Sequence, residues 1–169
     1  DGFVIDSAGA DHLHGGEEAM LAALTGRLTA AGLRARAAIA DTRGAAHALA
    51  RHAAGPLFIA PPGHGASVLA PLPLEALRLP EALSTELRTL GFDRIGDLLA
   101  QPGAPLVLRF GAELGLRIEQ ASGERPEPFE PLRPPDPVEA RRAFAEPIGA
   151  AETIARHIGR LVQRLCALL

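Results

Sequence analysis

Six prolines crowd residues 124 to 140: Pro126, Pro128, Pro131, Pro134, Pro135 and Pro137. Each fixes φ and removes a backbone N–H, so neither a helix interior nor a central strand can run through this stretch. It is expected to be an extended, semi-rigid linker that divides the 169-residue chain into a long front part and a short tail. The organisation expected from this division is α+β. A small βαβ-containing portion covers 1–71 and an all-α unit covers 72–123. The Pro-rich linker covers 124–141, and the beginning of an α/β domain covers 142–169.

Before residue 71, apolar runs alternate with helical spacing. Phe3-Val4-Ile5 predicts a short buried strand. Gly15-Gly16 interrupts it, and Glu17 and Glu18 suit the positive first turn of a helix. Met20, Leu21, Leu24 and Leu28 continue that helix until Gly32. Leu33 to Ala40 returns to alternation, with Arg34 and Arg36 set against Leu33, Ala35 and Ala37. Asp41-Thr42 can cap a second helix from Arg43 to Ala53, and Leu57-Phe58-Ile59 and Val68-Leu69 predict further strands. The order predicts one α/β layer with a small sheet.

From Pro71 the character is helical. Pro80 suits the first position of a helix with Leu83, Leu87 and Leu90 on one face, closed by Gly91. Asp93 is placed to cap a short helix carrying Ile95, Leu98 and Leu99, which Pro102 ends. Pro105 begins another through Phe110, and Leu114, Ile118 and Ala121 line one more, closed by Gly123. The stretch from Leu87 to Leu98 is the most specific local pattern, two short helices joined by a Gly-led turn. Such a helix-hairpin-helix offers backbone N–H groups to a DNA phosphate without reading sequence. An ordinary αα-corner fits the same residues. Beyond the linker, Arg142 to Ile148 predicts a strand. A final helix sets Ile154, Ile158, Leu161, Leu165 and Leu168 against Arg156, Arg160 and Arg164. That arginine stripe is either a solvated face or a face toward DNA. One strand and one helix cannot close a core, so a third domain is expected to extend past this segment.

All 17 basic residues are arginine against 20 acids, a net charge of −3 that argues against gripping nucleic acid by bulk charge. The helical segment 72–123 carries five arginines against seven acids, net −2. A single cysteine, Cys166, excludes an internal disulfide and a multi-cysteine zinc site, and its place predicts a small core residue. Asp1, Asp6 and Asp11 are spaced by five and cannot share one strand face. They are either metal ligands completed from another element or a solvated strand end. His12 and His14 with Glu17 have a weak metal-ligand spacing, with surface histidines as the plain alternative. No run approaches the ~20 apolar residues of a membrane span. Opening on Asp1 without a signal-like start, the chain reads as a soluble intracellular piece of a longer protein.

Taken in order, these segments resemble the Y-family DNA polymerases that copy damaged templates, most closely their non-catalytic ImuB branch. Asp1-Gly-Phe-Val-Ile-Asp6-Ser-Ala-Gly9 resembles the palm motif in which an Asp-Glu pair precedes an apolar triplet, an Asp and a Gly. His12-Leu-His-Gly-Gly-Glu17 resembles the branch's HLFGGE, with His14 at the Phe position. Ala38-Ile-Ala-Asp-Thr-Arg43 and Ala48-Leu-Ala-Arg51 resemble its AIADT and ALAR segments. Leu72-Pro-Leu-Glu-Ala-Leu-Arg-Leu79, Leu90 to Leu98 and Arg109-Phe-Gly111 resemble the thumb, and Gln120-Ala-Ser-Gly with Glu127-Pro its exit. Ala145-Glu-Pro-Ile148 and the final helix resemble the start of the little finger.

The resemblance implies a palm portion, a thumb and the start of a little finger that hold damaged or primed DNA during error-prone translesion synthesis in bacteria. It implies a cytoplasmic, nucleoid-associated setting and partners: a sliding clamp, an ImuA-type accessory protein and an error-prone polymerase. Gly91, Arg94, Ile95 and Gly96 are the expected DNA contacts, with Arg43 and Arg109 beside them. Gly2 stands where the motif's Glu belongs and supplies no metal ligand, leaving Asp1 as a vestigial candidate. Thr42-Arg43 replaces the phosphate-neutralising Asn-Lys pair, and Arg78-Leu79-Pro80 replaces the Gly-Ile-Gly of the first thumb hairpin. No catalysis and no cofactor are therefore expected, with Mg2+ required only if the protein is active. Two other readings fit the same residues: an active Y-family polymerase, and a protein-binding scaffold without DNA contact.

Overall fold

The computed structural model describes residues 2–132 and 138–168. They fall in two compact units, 1–128 and 129–169.

In the first unit, a 3-10 turn at Asp11–His14 leads into α1, Glu17–Ala30. Gly32 stops α1 with φ +78, as expected. β1 (Ala37–Ile39) and β2 (Leu57–Ile59) pair in parallel, Ala38 opposite Phe58. Between them runs α2, Arg43–His52, capped by the Thr42 hydroxyl, which accepts from Ala45 N–H at 3.0 Å. Parallel strands need such a crossover. α3 (Gly65–Leu69) follows, then a 3-10 turn at Leu74–Leu77. The helical part continues with α4 (Glu81–Thr89), α5 (Ile95–Leu99), α6 (Gly103–Phe110) and α7 (Ala112–Ser122).

One continuous core joins residues on both sides of residue 71. Leu49 of α2, Leu69 of α3, Leu74, Leu87 of α4, Ile95 and Leu98 of α5 and Leu114 of α7 are its fully buried large side chains. Each such side chain contributes about 1.5–3 kcal/mol, against about 1 for a hydrogen bond. Packing therefore sets where the helices lie. α2 approaches α7 so closely that a Cβ on Gly44 would meet Ala121 Cα at 3.1 Å. Thr42 locks the same contact by donating its hydroxyl to Ala121 O at 3.0 Å.

Several expected elements differ. Phe3-Val4-Ile5 has no ladder partner among the described residues and is exposed irregular backbone, because a strand needs a neighbour for its N–H and C=O groups. The strand expected over Leu33 to Ala40 is only Ala37–Ile39. There Arg36 leaves the sheet and donates through Nε to Ala50 O at 2.7 Å, and also to Ala53 O, tying β1 to the end of α2. Val68-Leu69 belongs to α3 and not to a strand, since a two-residue apolar run carries no period to tell the two apart. Asp93 does not cap α5. The Asp97 carboxylate reaches back instead and accepts from the N–H groups of Arg94 (2.8 Å) and Asp93 (2.9 Å).

In the second unit, the described residues from 129 to 150 form no helix or strand, so the strand expected over Arg142 to Ile148 is absent. No described neighbour pairs with it, and Pro147 withholds an N–H. Phe144 packs its ring on His157 at 4.7 Å, with Arg142 over the same ring at 5.6 Å. α8, Ala151–Leu168, forms as expected with its apolar residues on one side. That side is uncovered within the unit, with Ile158 55% and Val162 52% exposed. Cys166 is exposed, not a core residue, for the same reason. Part of the expected linker, Arg133 to Pro137, lies outside the described residues. No helix among the described residues is long and apolar enough to cross a membrane.

Candidate nucleic-acid interface

The pattern singled out in the sequence folds as two helices at a Gly-led turn, α4 and α5 joined through Leu90 to Arg94. Gly91 holds φ +90 there, a backbone that side-chain-bearing residues rarely adopt. Its N–H closes the turn onto Arg88 O at 2.9 Å. The first N–H groups of a helix are the ones a phosphate would use. In α5 they are already engaged: Ile95 N–H donates to Leu72 O and Gly96 N–H to Ala70 O, each at 2.9 Å. A segment running from Ala70 to Pro73 thus lies strand-like against the entry to α5. Ile95 is 1% exposed. An N–H committed to an internal carbonyl is not free to donate to a phosphate in this arrangement. Gly96 has a packing reason instead: a Cβ would stand 3.0 Å from Ala70 O.

Among the hairpin's candidates, Arg94 keeps an exposed side chain. Its guanidinium donates to Pro71 O on the same surface. The two backbone donors on Asp97, Arg94 N–H foremost, hold that carboxyl below the ordinary carboxylate range. Arg109, near the end of α6, is exposed with its guanidinium over the Phe110 ring at 5.3 Å. Phe110 in turn meets Phe92 of the hairpin turn edge-on at 6.4 Å. Arg156, Arg160 and Arg164 lie exposed along α8 in the other unit.

Arg43 is drawn into a cluster that the sequence reading missed. Its Nη1 lies 3.8 Å from Glu127 Oε1, and that of Arg117 lies 3.5 Å away. Arg78 donates through both terminal nitrogens to the two Glu127 oxygens at 2.8 Å each. The Arg78 pairing, burial notwithstanding, holds the Glu127 carboxyl below its ordinary range. His47, one turn along α2 from Arg43, is pushed down by burial and then by the Arg78 charge. A signal was present: Arg78 stands at a position where the resembled hairpin has glycine, and its φ is +58.

Asp1 lies outside the described residues. Gly2 offers no carboxylate, and Asp6 accepts from Ala8 N–H at 3.0 Å. His12 and His14 sit exposed on the 3-10 turn, and no three His, Cys, Asp or Glu side chains converge among the described residues.

No family model matches the sequence, and no solved structure matches it. Two curated relatives do: the proteins named ImuB of Caulobacter vibrioides strain NA1000 / CB15N and strain ATCC 19089 / CIP 103742 / CB 15. Each is 49% identical over 170 aligned positions, covering 100% of this chain and 37% of the relative. The chain thus spans little more than a third of the length of the curated relatives it matches. With every residue inside an alignment at that identity, the chain is ImuB-like along its whole length.

Proposed function

We propose that this chain is part of a non-catalytic, Y-family polymerase-like accessory protein of error-prone translesion synthesis, one that holds damaged or primed DNA and positions partner proteins. The observation that carries the reading is the 49% identity to ImuB over all of the chain. Gly2 at the position of the motif's second acid supports the non-catalytic part, since two-metal chemistry needs carboxylates there. Residues 1–71 serve as palm, 72–123 as thumb, 124–141 as linker and 142–169 as the beginning of a little finger. The partners are a sliding clamp, an ImuA-type accessory protein and an error-prone polymerase, in the bacterial cytoplasm on the nucleoid. No cofactor is required; Mg2+ belongs only to the active-polymerase alternative.

In this reading Gly91 and Gly96 shape the hairpin and Ile95 anchors it, while the exposed guanidinium of Arg94 reaches the phosphate. Arg109 flanks it. The helical segment's net −2 charge makes such contact weak by itself and dependent on neighbouring domains. Titration of the full-length protein with primer–template DNA at low and moderate salt tests the reading. It predicts binding that weakens as salt rises. No binding at either salt concentration favours the protein-binding scaffold instead, a reading supported by the hairpin N–H groups being engaged internally.

A further inference from the structure

The second unit carries a ring cluster that the DNA-holding reading does not use. Phe144, in the stretch before α8, meets the His157 ring at 4.7 Å with the two planes at 66°. The Arg142 guanidinium lies over the Phe144 ring at 5.6 Å. Because His157 belongs to α8, the ring contact folds the preceding stretch back onto the helix. That stretch forms no helix or strand of its own, and among the described residues one backbone hydrogen bond ties α8 back to it, Ile154 N–H to Ala150 O at 3.0 Å.

The cluster suits a neutral imidazole. Nδ1 of His157 is buried without a hydrogen-bond partner. In the neutral ring that nitrogen can stay unprotonated, whereas in the imidazolium it becomes a shielded N–H with no acceptor. The charged groups that bear on the ring are cations: Arg142 from the preceding stretch, and Arg156 and Arg160 from α8 itself. No carboxylate among the described residues forms an ion pair with His157. One effect runs the other way, since an aromatic face attracts a cation. The Phe144 ring already carries Arg142, and shielding with the three guanidinium charges wins. His157 is accordingly held below its ordinary 6.5, by burial first and then by Arg142. Phe144 itself stays 40% exposed, so little burial opposes its release.

We propose that Phe144 and His157 form a pH-sensitive clasp, which fastens the stretch around Phe144 to α8 while His157 is neutral and lets it go when His157 takes a proton. The released ring takes that proton near 6.5 while the clasped ring resists. The clasp is therefore whole above that pH and loosens as pH falls below it. It stands on the ring geometry and goes beyond the DNA-holding reading; either can fail without the other.

The test follows the full-length protein from about pH 7.5 to about pH 5.5 with two readouts. The first is trypsin cleavage after Arg142, taken at each pH relative to a short peptide carrying residues 138–146. Across this range the relative cleavage is expected to rise about twofold or more. His157→Phe keeps an aromatic partner for Phe144 and cannot take a proton, so its relative cleavage is expected to stay low and flat. His157→Leu serves in its place if that variant does not fold. The second readout is hydrogen–deuterium exchange at the imidazole C2 carbon, which gives the titration midpoint of His157 by mass spectrometry. That midpoint is expected below 6.5 and is expected to move up toward it in Phe144→Ala and in Arg142→Gln. Relative cleavage that ignores pH in the native protein overturns the clasp, and so does an equal rise in the variant that cannot titrate. A midpoint that Phe144→Ala leaves unmoved also overturns it, because the ring contact would then be indifferent to the proton.

Discussion

Arg78 stands in the left-handed backbone region at φ +58 and grips Glu127, 49 residues further along, through two 2.8 Å hydrogen bonds. It is the one non-glycine residue with positive φ among the described residues. That conformation disfavours a side chain by about 1–2 kcal/mol, and the charge-assisted pair offsets it. The same pair fixes where the chain goes after α7.

Glu127→Ala should therefore destabilise the fold. It leaves three guanidinium groups facing each other without their shared carboxylate, and the expected loss is about 2 kcal/mol. Urea denaturation of the 169-residue chain followed by circular dichroism reads it as a lowered midpoint. An unchanged midpoint contradicts the pinning role.

Acid should weaken the fold in two steps. Glu127 is held below its ordinary range by the Arg78 hydrogen bonds, so its contribution is present above the unfolded value and lost as pH falls through the folded one. His47 is also lowered, by burial first. The unfolded chain takes that proton near 6.5 while the folded chain resists, so stability starts to fall at that higher pH. Denaturation midpoints measured from about pH 8 to about pH 3 check both. Glu127→Gln should shrink the acidic step, leaving the share of Asp97, whose carboxyl is also lowered, and spare the step near neutrality. Loss of both steps in that variant contradicts the assignment.

Gly96→Ala should cost about 1–3 kcal/mol, because its Cβ would stand 3.0 Å from Ala70 O and 3.2 Å from Ala70 Cβ. Gly103→Ala, at the start of α6 with open space around the added carbon, should be neutral or slightly stabilising. Thermal melts of the two variants decide. Equal melting temperatures would show that α5 does not seat on the 70–73 segment as described.

Arg94→Ala should weaken primer–template binding by a similar factor for every DNA sequence and lower the salt slope by about one. Its side chain is the exposed donor of the hairpin, whereas the N–H groups of Ile95 and Gly96 are committed to Leu72 and Ala70. Fluorescence anisotropy with several unrelated duplexes measures this. A loss confined to one sequence contradicts phosphate contact.

Local signals in the sequence were read well where they act locally. The hydroxyl of Thr42 caps α2, Gly32 and Gly123 stop α1 and α7, and α8 follows its 3.6-residue period. What depends on distant partners was not legible. Phe3-Val4-Ile5 and Arg142 to Ile148 look like strands by composition, but a strand exists only where another lies beside it. The Gly91 turn between α4 and α5 was legible, yet the docking of residues 70–73 on α5, which occupies its donors, leaves no periodic trace. The Arg78–Glu127 pair spans 49 residues and was invisible for the same reason, though an arginine at a glycine position marked one end of it.

The central claim, an ImuB-like protein that holds DNA without copying it, is tested most directly by primer extension with the full-length protein, primer–template DNA, Mg2+ and all four deoxynucleotides. The account predicts no nucleotide addition at protein concentrations that bind the DNA. Incorporation that disappears with Asp1→Ala would contradict it and restore the active-polymerase reading.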